Sequence, residues 1–205
     1  MSAPSGDRRL FVRRAANARN LGGLALRAMY RIRVIGLEHL PVAGPVLIVG
    51  HCPEILAGAV IKAMACRPVH VIGGDAVQMA LPARGLRLIG DIPRVGAGIG
   101  AARMAQALLM EGGAVAVLGS SPPVGYLVAI SNAPVVPVVV IGAAGRVPTD
   151  PPAPGTRIDV VFSPASLIPT SGDPCAERVV LDAGERVRQI VADAHLRARP
   201  RRPGG

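Results

Sequence analysis

Aromatic residues are almost missing from this chain: two Phe, two Tyr and no Trp, 2% of the total. That scarcity argues against a single-strand nucleic-acid platform or an aromatic cage, both of which need stacking faces. Cysteine is sparse too. Cys52, Cys66 and Cys175 are odd in number, widely spaced and form no C-x-x-C pair, which speaks against a disulfide framework or a structural zinc site and for a reduced, cytoplasmic thiol state. Lysine occurs once, at Lys62. No apolar run of signal-peptide type follows the basic start of the chain, so no secretory signal is expected. No internal repeat is found.

Uninterrupted long hydrophobic runs are lacking as well. Gly112–Gly145 carries no formal charge, but Pro122, Pro123, Pro134 and Pro137 break it and its apolar pieces are short and Val-rich. A spanning helix wants about 20 continuous apolar residues. Two buried strands around a short helix fit the segment better, because parallel strands covered on both faces read as near-continuous Val/Ile runs.

What is present is apolar bulk and positive charge. The 205 residues are 50% hydrophobic, with a mean hydropathy of +0.43, enough for one α/β domain with a sizeable core and a short extra arm. Twenty-three basic residues against 13 acidic ones give +10. All of the basic residues except Lys62 are arginine. An excess of this size points to anionic partners: phosphate-bearing ligands, nucleic acid or an anionic membrane face.

The charge is gathered at the two ends. Arg8, Arg9, Arg13, Arg14, Arg19, Arg27, Arg31 and Arg33 precede the body of the chain with Asp7 as their one acid. Leu10, Phe11, Val12, Leu21, Leu24, Leu26 and Met29 are interleaved with them. The stretch reads as a basic, partly amphipathic helix broken near Gly22-Gly23. It suits an anionic membrane surface, where arginines meet lipid phosphates; it equally suits a solvated arm or a helix packed on the domain. A second basic run, Arg197 to Arg202, forms the tail and reads as disordered.

Between the ends, apolar strands alternate with helical patterns. Strands are expected at Tyr30–Gly36, Pro45–Gly50, Val69–Gly73, Ala114–Leu118, Val135–Ile141 and Thr156–Phe162, with a short extended piece at Ile89–Pro93. Helices are expected from Pro53 to about Cys66 with proline in the first turn, over Ala76–Leu86, over Ile99–Glu111 closed by Gly112-Gly113, over Gly125–Asn132, and over Cys175–Arg199 with Val179, Val180, Val187, Ile190, Val191 and Ala194 at helical spacing. This alternation predicts a single α/β domain: a mostly parallel central sheet covered by helices on both faces, with a basic N-terminal helical arm. The divisions are an arm at 1–29, the domain at 30–197 and a basic tail at 198–205; the Pro-rich stretch Val147–Gly155 reads as a surface connection within the domain.

His51 directly follows an apolar strand. Side chains at the C-terminal edge of a parallel sheet are where α/β folds build their sites, although a loop histidine satisfied by nearby backbone fits the same position. His39, His70 and His195 have no partner at catalytic or metal spacing and read as structural or solvated. Gly96-Ala-Gly98-Ile-Gly100 is not the dinucleotide fingerprint, but it suits a phosphate-approaching loop at a helix start. Ser120 and Ser121 lack the Gly-x-Ser-x-Gly elbow.

The succession of motifs resembles the glycerolipid acyltransferase family, the lysophospholipid and acylglycerol-phosphate acyltransferases. Val34-Ile-Gly-Leu-Glu-His-Leu-Pro41 followed by Gly44-Pro-Val-Leu-Ile-Val-Gly-His51 is similar to the family's opening stretch, which leads into His-x4-Asp. Leu88-Ile-Gly-Asp-Ile-Pro-Arg94 resembles the second block, whose arginine contacts the acceptor phosphate. Gly112–Leu118 stands where the strand before the FPEGTRS block belongs, Val124–Val140 resembles the helix and VPV block that follow, and Pro154–Phe162 the closing strand. Together these cover most of residues 30–197 in the right order.

The chain departs from that pattern where the chemistry sits. Leu56 occupies the position of the His-x4-Asp aspartate, whose carboxylate orients the histidine and supports its charged form; in a serine-protease analogue, losing that group lowers the rate about 10⁴-fold. Gly50 replaces the usual Asn. Leu118-Gly-Ser-Ser-Pro-Pro123 replaces the FPEG block, without its Glu and with a shorter loop. Glu54, three residues after His51, is a candidate substitute for the missing carboxylate; it also fits as an acidic residue placed favourably near a helix N-terminus.

Three readings of function result. In the first, His51, with Glu54, deprotonates a hydroxyl that attacks an acyl thioester on coenzyme A or acyl carrier protein, while Arg94, Gly96, Gly98, Ser120 and Ser121 bind substrate. No metal or bound cofactor is implied, and with two carboxylates gone the activity is expected to be weak or lost. In the second, the chain is a non-catalytic member of the same fold that binds a lipid or partners a catalytic homologue. The third, nucleic-acid binding, rests on net charge alone and lacks motifs and aromatics. The first two place the protein in the cytoplasm, peripheral to the inner face of the membrane.

Overall fold

The computed structural model describes residues 22–52, 54–72, 91–92, 99–119, 124–147 and 150–198. Among them are a helical segment α1 (22–29), α2 (Ala57–Met64), α3 (Ile99–Met110), α4 (Val124–Ser131) and α5 (Glu177–Ala198). The strands are β1 (Arg31–Ile35), β2 (Val46–Gly50), β3 (Val69–Ile72), β4 (Ala114–Leu118), β5 (Val135–Ile141) and β6 (Arg157–Phe162). Six strands form one sheet in the order β1-β6-β5-β2-β4-β3. All neighbouring pairs are parallel except β5 with β6. The mostly parallel α/β domain expected from the alternation of elements is the fold observed.

Strand periodicity divides the core in two. On one face Val46, Ile48, Val69, Val71, Ala114 and Ala116 meet α2 and its neighbours, with Leu26 of α1 packed against them. On the other face Leu47, Val49, Val115, Val117 and Val135 meet α3, α4 and α5. Every residue of β2, β3 and β4 is buried, which is why these strands read as unbroken apolar runs rather than alternating ones. β6 alternates instead, and β1, the sheet's outer neighbour of β6, exposes Arg31, Arg33 and Ile35.

Helix ends follow local chemistry except at α2. Gly112, at φ 77°, closes α3 with its N–H donated to the Leu109 carbonyl, as the Gly-Gly pair implied. Arg67 then ties three turns together by donating to the carbonyls of Pro41, Gly44 and Gly112. The expected helix start at Pro53 is displaced. Residues 54–56 form a turn and α2 begins at Ala57, capped by Leu56 without a side-chain hydrogen bond. No Ser, Thr, Asp or Asn stands there to fix an N-terminus, so packing of Ala57, Val60 and Ile61 in the core sets the start. Gly22 and Gly23 are both helical, with Gly23 close against Ala63; the stretch before Gly22, from which the expected break would separate them, lies outside the described residues. The helix expected at Ala76–Leu86 lies outside the described residues.

Lys62 of α2 is buried and paired with Asp91, which also accepts a hydrogen bond from the Val71 backbone N–H. Ile92 donates its own N–H to the Val71 carbonyl, so residues 91–92 lie along β3. Burial lowers the Lys62 pKa, against the attraction of Asp91. It raises that of Asp91, against the attraction of Lys62. No helix among the described residues is long and apolar enough to cross a membrane.

Candidate functional site

Beyond the last residue of β2 the two faces of the sheet part company. Cys52 continues the series Val46, Ile48 into the α2-side core and is 2% exposed. Burial, with the nearby Glu54 charge adding to it, pushes its thiol pKa up to about 12. His51 takes the alternate direction. It is exposed and lines a cavity of about 550 Å³ on the side of α4 and α5.

That cavity is built from the ends of elements. Val49, Gly50 and Gly119 close it at the carboxyl edge of β2 and β4, and Val124 and Gly125 open α4 against it. The long wall is α5, which contributes Val180, Leu181, Gly184, Val187, Val191 and Ala192. Three polar side chains interrupt this apolar lining: His51, Arg188 and His195. The approach of α4 to α5 depends on glycine, since a Cβ at Gly125 would lie 2.0 Å from the Val180 carbonyl oxygen.

Gly50 has a comparable reason. A Cβ there would lie 2.5 Å from the Val138 carbonyl oxygen and 2.9 Å from its Cγ1, so no asparagine fits between β2 and β5 as they pack here. Leu56 turns its side chain to the α2-side core, packed against it. The position that in the resembling family carries a carboxylate is therefore an apolar core contact. Glu54 is half-buried and does not line the cavity. Its Oε2 is buried without a hydrogen-bond partner, and the residue is not hydrogen-bonded to His51. The two residues expected to act together are thus neighbours in the chain that the structure does not join.

Arg94, Gly96, Gly98, Ser120 and Ser121 lie outside the described residues. His39 is structural, with Nδ1 2.9 Å from the Phe162 carbonyl oxygen, and His70 is buried in β3. His195 has the backbone hydrogen bond of a structural histidine, with Nδ1 donating to the Val191 carbonyl at 3.2 Å, and in addition it lines the same cavity as His51. A carbonyl can only accept, so Nδ1 donates, and Nε2 is uncommitted among the described residues. The sequence signal for this was its place on the α5 stripe, one residue after buried Ala194 and four after buried Val191. Spacing to other histidines in the chain could not reveal it.

Electrostatically the site is a mostly apolar hollow with basic and imidazole groups at one wall. Chemically it can enclose an aliphatic chain and hold a base at the sheet edge. Such a constellation defines an α/β fold with a carboxyl-edge site, as at the topological switch points of open sheets.

Comparison with known proteins gives the same architecture. No family model matches the sequence, and no curated protein matches it. Among solved structures the chain is similar to the crystal structure of the 1-acyl-sn-glycerophosphate (LPA) acyltransferase, PlsC, from Thermotoga maritima, with a TM-score of 0.61. The match covers 91% of this chain and 81% of that one at 16% identity. The fold is that of this acyltransferase.

Proposed function

We propose that this protein is a lipid-binding member of the acyltransferase fold, with weak or vestigial acyl transfer centred on His51. The observation that carries the reading is the apolar cavity lined by exposed His51, with no carboxylate of the described residues hydrogen-bonded to the ring. In the transfer step, His51 takes the proton of an acceptor hydroxyl as its oxygen attacks the carbonyl carbon of an acyl thioester. The C–O bond of the new ester forms, the C–S bond breaks, and the proton passes to the departing thiolate. A general base needs a fixed tautomer and support for its charged form. Leu56 supplies neither, and Glu54 makes no hydrogen bond to the ring.

The donor in this reading is acyl-coenzyme A or acyl-carrier protein, and the acceptor a glycerolipid or related hydroxyl. Membrane association belongs to the same proposal. Leu24 and Met29 are 76% and 48% exposed beside Arg27, Arg31 and Arg33, a pattern that suits an anionic lipid surface. A second reading, binding without turnover, is favoured by the core position of Leu56 alone.

Acyl transfer from radiolabelled acyl-coenzyme A to a panel of lysolipids, with His51→Ala as control, tests the proposal. The expected result is transfer orders of magnitude slower than by an enzyme with an intact His-x4-Asp pair, and abolished in His51→Ala. Robust turnover that depends on His51 would overturn the vestigial reading. Turnover unaffected by His51→Ala would overturn the site.

A further inference from the structure

The long wall of the cavity comes from α5, which none of the motif blocks includes, and it carries the other two polar side chains of the lining, Arg188 and His195. Arg188 and His195 are seven residues apart, two helical turns, or about 10 Å along one face. Between and around them the lining is Val187, Val191 and Ala192. Buried Ala183, Val187, Val191 and Ala194 fix the rotation of α5, which sets Arg188 and His195 on the side of the helix that lines the cavity.

Each group has unused hydrogen-bonding capacity. Glu185 accepts from Nε and Nη2 of Arg188, which leaves Nη1 uncommitted among the described residues. The carboxylate does not line the cavity. That ion pair is exposed, 70% for Arg188 and 54% for Glu185, and pairs of this kind hold weakly. His195 keeps Nδ1 on the Val191 carbonyl and presents Nε2. Nε2 accepts a hydrogen bond from the O–H of a singly protonated acid head. An apolar hollow bordered by a guanidinium and an imidazole is complementary to one chemistry: a single aliphatic chain ending in an anionic head.

We propose that Arg188 and His195 are the head-group site of this cavity and that its ligand is a single-chain anionic amphiphile. The assignment rests on the reading of the cavity as a lipid site, but it concerns binding and is independent of whether acyl transfer occurs. It places recognition of the anion on the C-terminal helix.

The test is calorimetric binding of three monomeric probes to the full chain: palmitoyl lysophosphatidate, palmitate and monopalmitoyl glycerol. The phosphate and carboxylate probes are expected to bind at least tenfold more tightly than the neutral one, the scale of one charge-assisted hydrogen bond. The order of the two anions identifies a lipid phosphate or a fatty carboxylate as the source. Arg188→Gln with His195→Gln should bring the ratio of anionic to neutral affinity down to about one, while Glu185→Gln should strengthen anion binding. Thermal unfolding of each variant confirms that it is folded. Equal affinity for all three heads, a preference that survives the double substitution, or no binding of any probe would overturn the proposal. Binding with head preference but no acyl transfer would leave it standing while removing the catalytic reading.

Discussion

The buried pair between α2 and the segment beside β3 offers the sharpest test of the energetics. Lys62 and Asp91 side chains are 5% and 12% exposed, and for each group burial moves the pKa toward the neutral form despite the partner. The signs agree. Asp91, raised above its ordinary 3.8, favours folding below that value and loses the contribution as pH rises through its folded pKa. Lys62, lowered from 10.5, favours folding above that value and loses the contribution as pH falls through its folded pKa. In its charged form the pair is therefore a net desolvation cost. Lys62→Met alone strands a buried carboxylate with the Val71 N–H, and breaking such a pair costs about 3–5 kcal/mol. At about 2–4 °C per kcal/mol for a chain of this size, the melting temperature should fall by roughly 6–20 °C. The deficit should shrink as pH is lowered and Asp91 takes up a proton. Lys62→Met with Asp91→Leu removes both charges and should recover the loss, ending within about 1 kcal/mol of the parent or above it. Thermal and urea unfolding of the parent, the two single variants and the double would decide. A double variant as unstable as the two singles combined would refute the reasoning, because it would mean the pair contributes more than its desolvation removes.

At pH 8 a thiol-reactive dye should label Cys66 and Cys175, which are exposed, and reach Cys52 only on unfolding, since its thiol is buried and pushed up to about 12; rapid labelling of three thiols in the folded protein would contradict the packing of the β2 turn. Gly125→Ala should destabilise by about 1–3 kcal/mol through overlap with the Val180 carbonyl, whereas Gly184→Ala, whose Cβ would sit 3.9 Å from Gly125, should be neutral or gain up to about 1 kcal/mol from helix propensity; equal melting temperatures for the two would show that α4 and α5 do not meet as described. Leu56→Asp should restore no acyl transfer and should lower stability by about 1–3 kcal/mol, because it puts a carboxylate against the α2-side core; a large gain in rate would mean that residue 56 reaches His51.

The sequence by itself determined the layered α/β fold, the six strand positions to within a residue or two, the long amphipathic C-terminal helix and the place of His51 just beyond β2. These depend on local signals: Val-rich runs, Gly and Pro turns, and a helical stripe, each of which works within a few residues of itself. It also flagged Leu56 and Gly50 as departures, but not why they are tolerated. Only the tertiary structure decided that Gly50 is wedged against Val138 of β5, that Leu56 packs against the core, and that Glu54 makes no hydrogen bond to the His51 ring. It likewise turned β6 antiparallel to β5, delayed α2 to Ala57, and carried His195 from the far end of the chain to the cavity of His51. Strand direction, helix start and the meeting of distant side chains are set by which surfaces bury against one another, and that choice is made by the whole core at once.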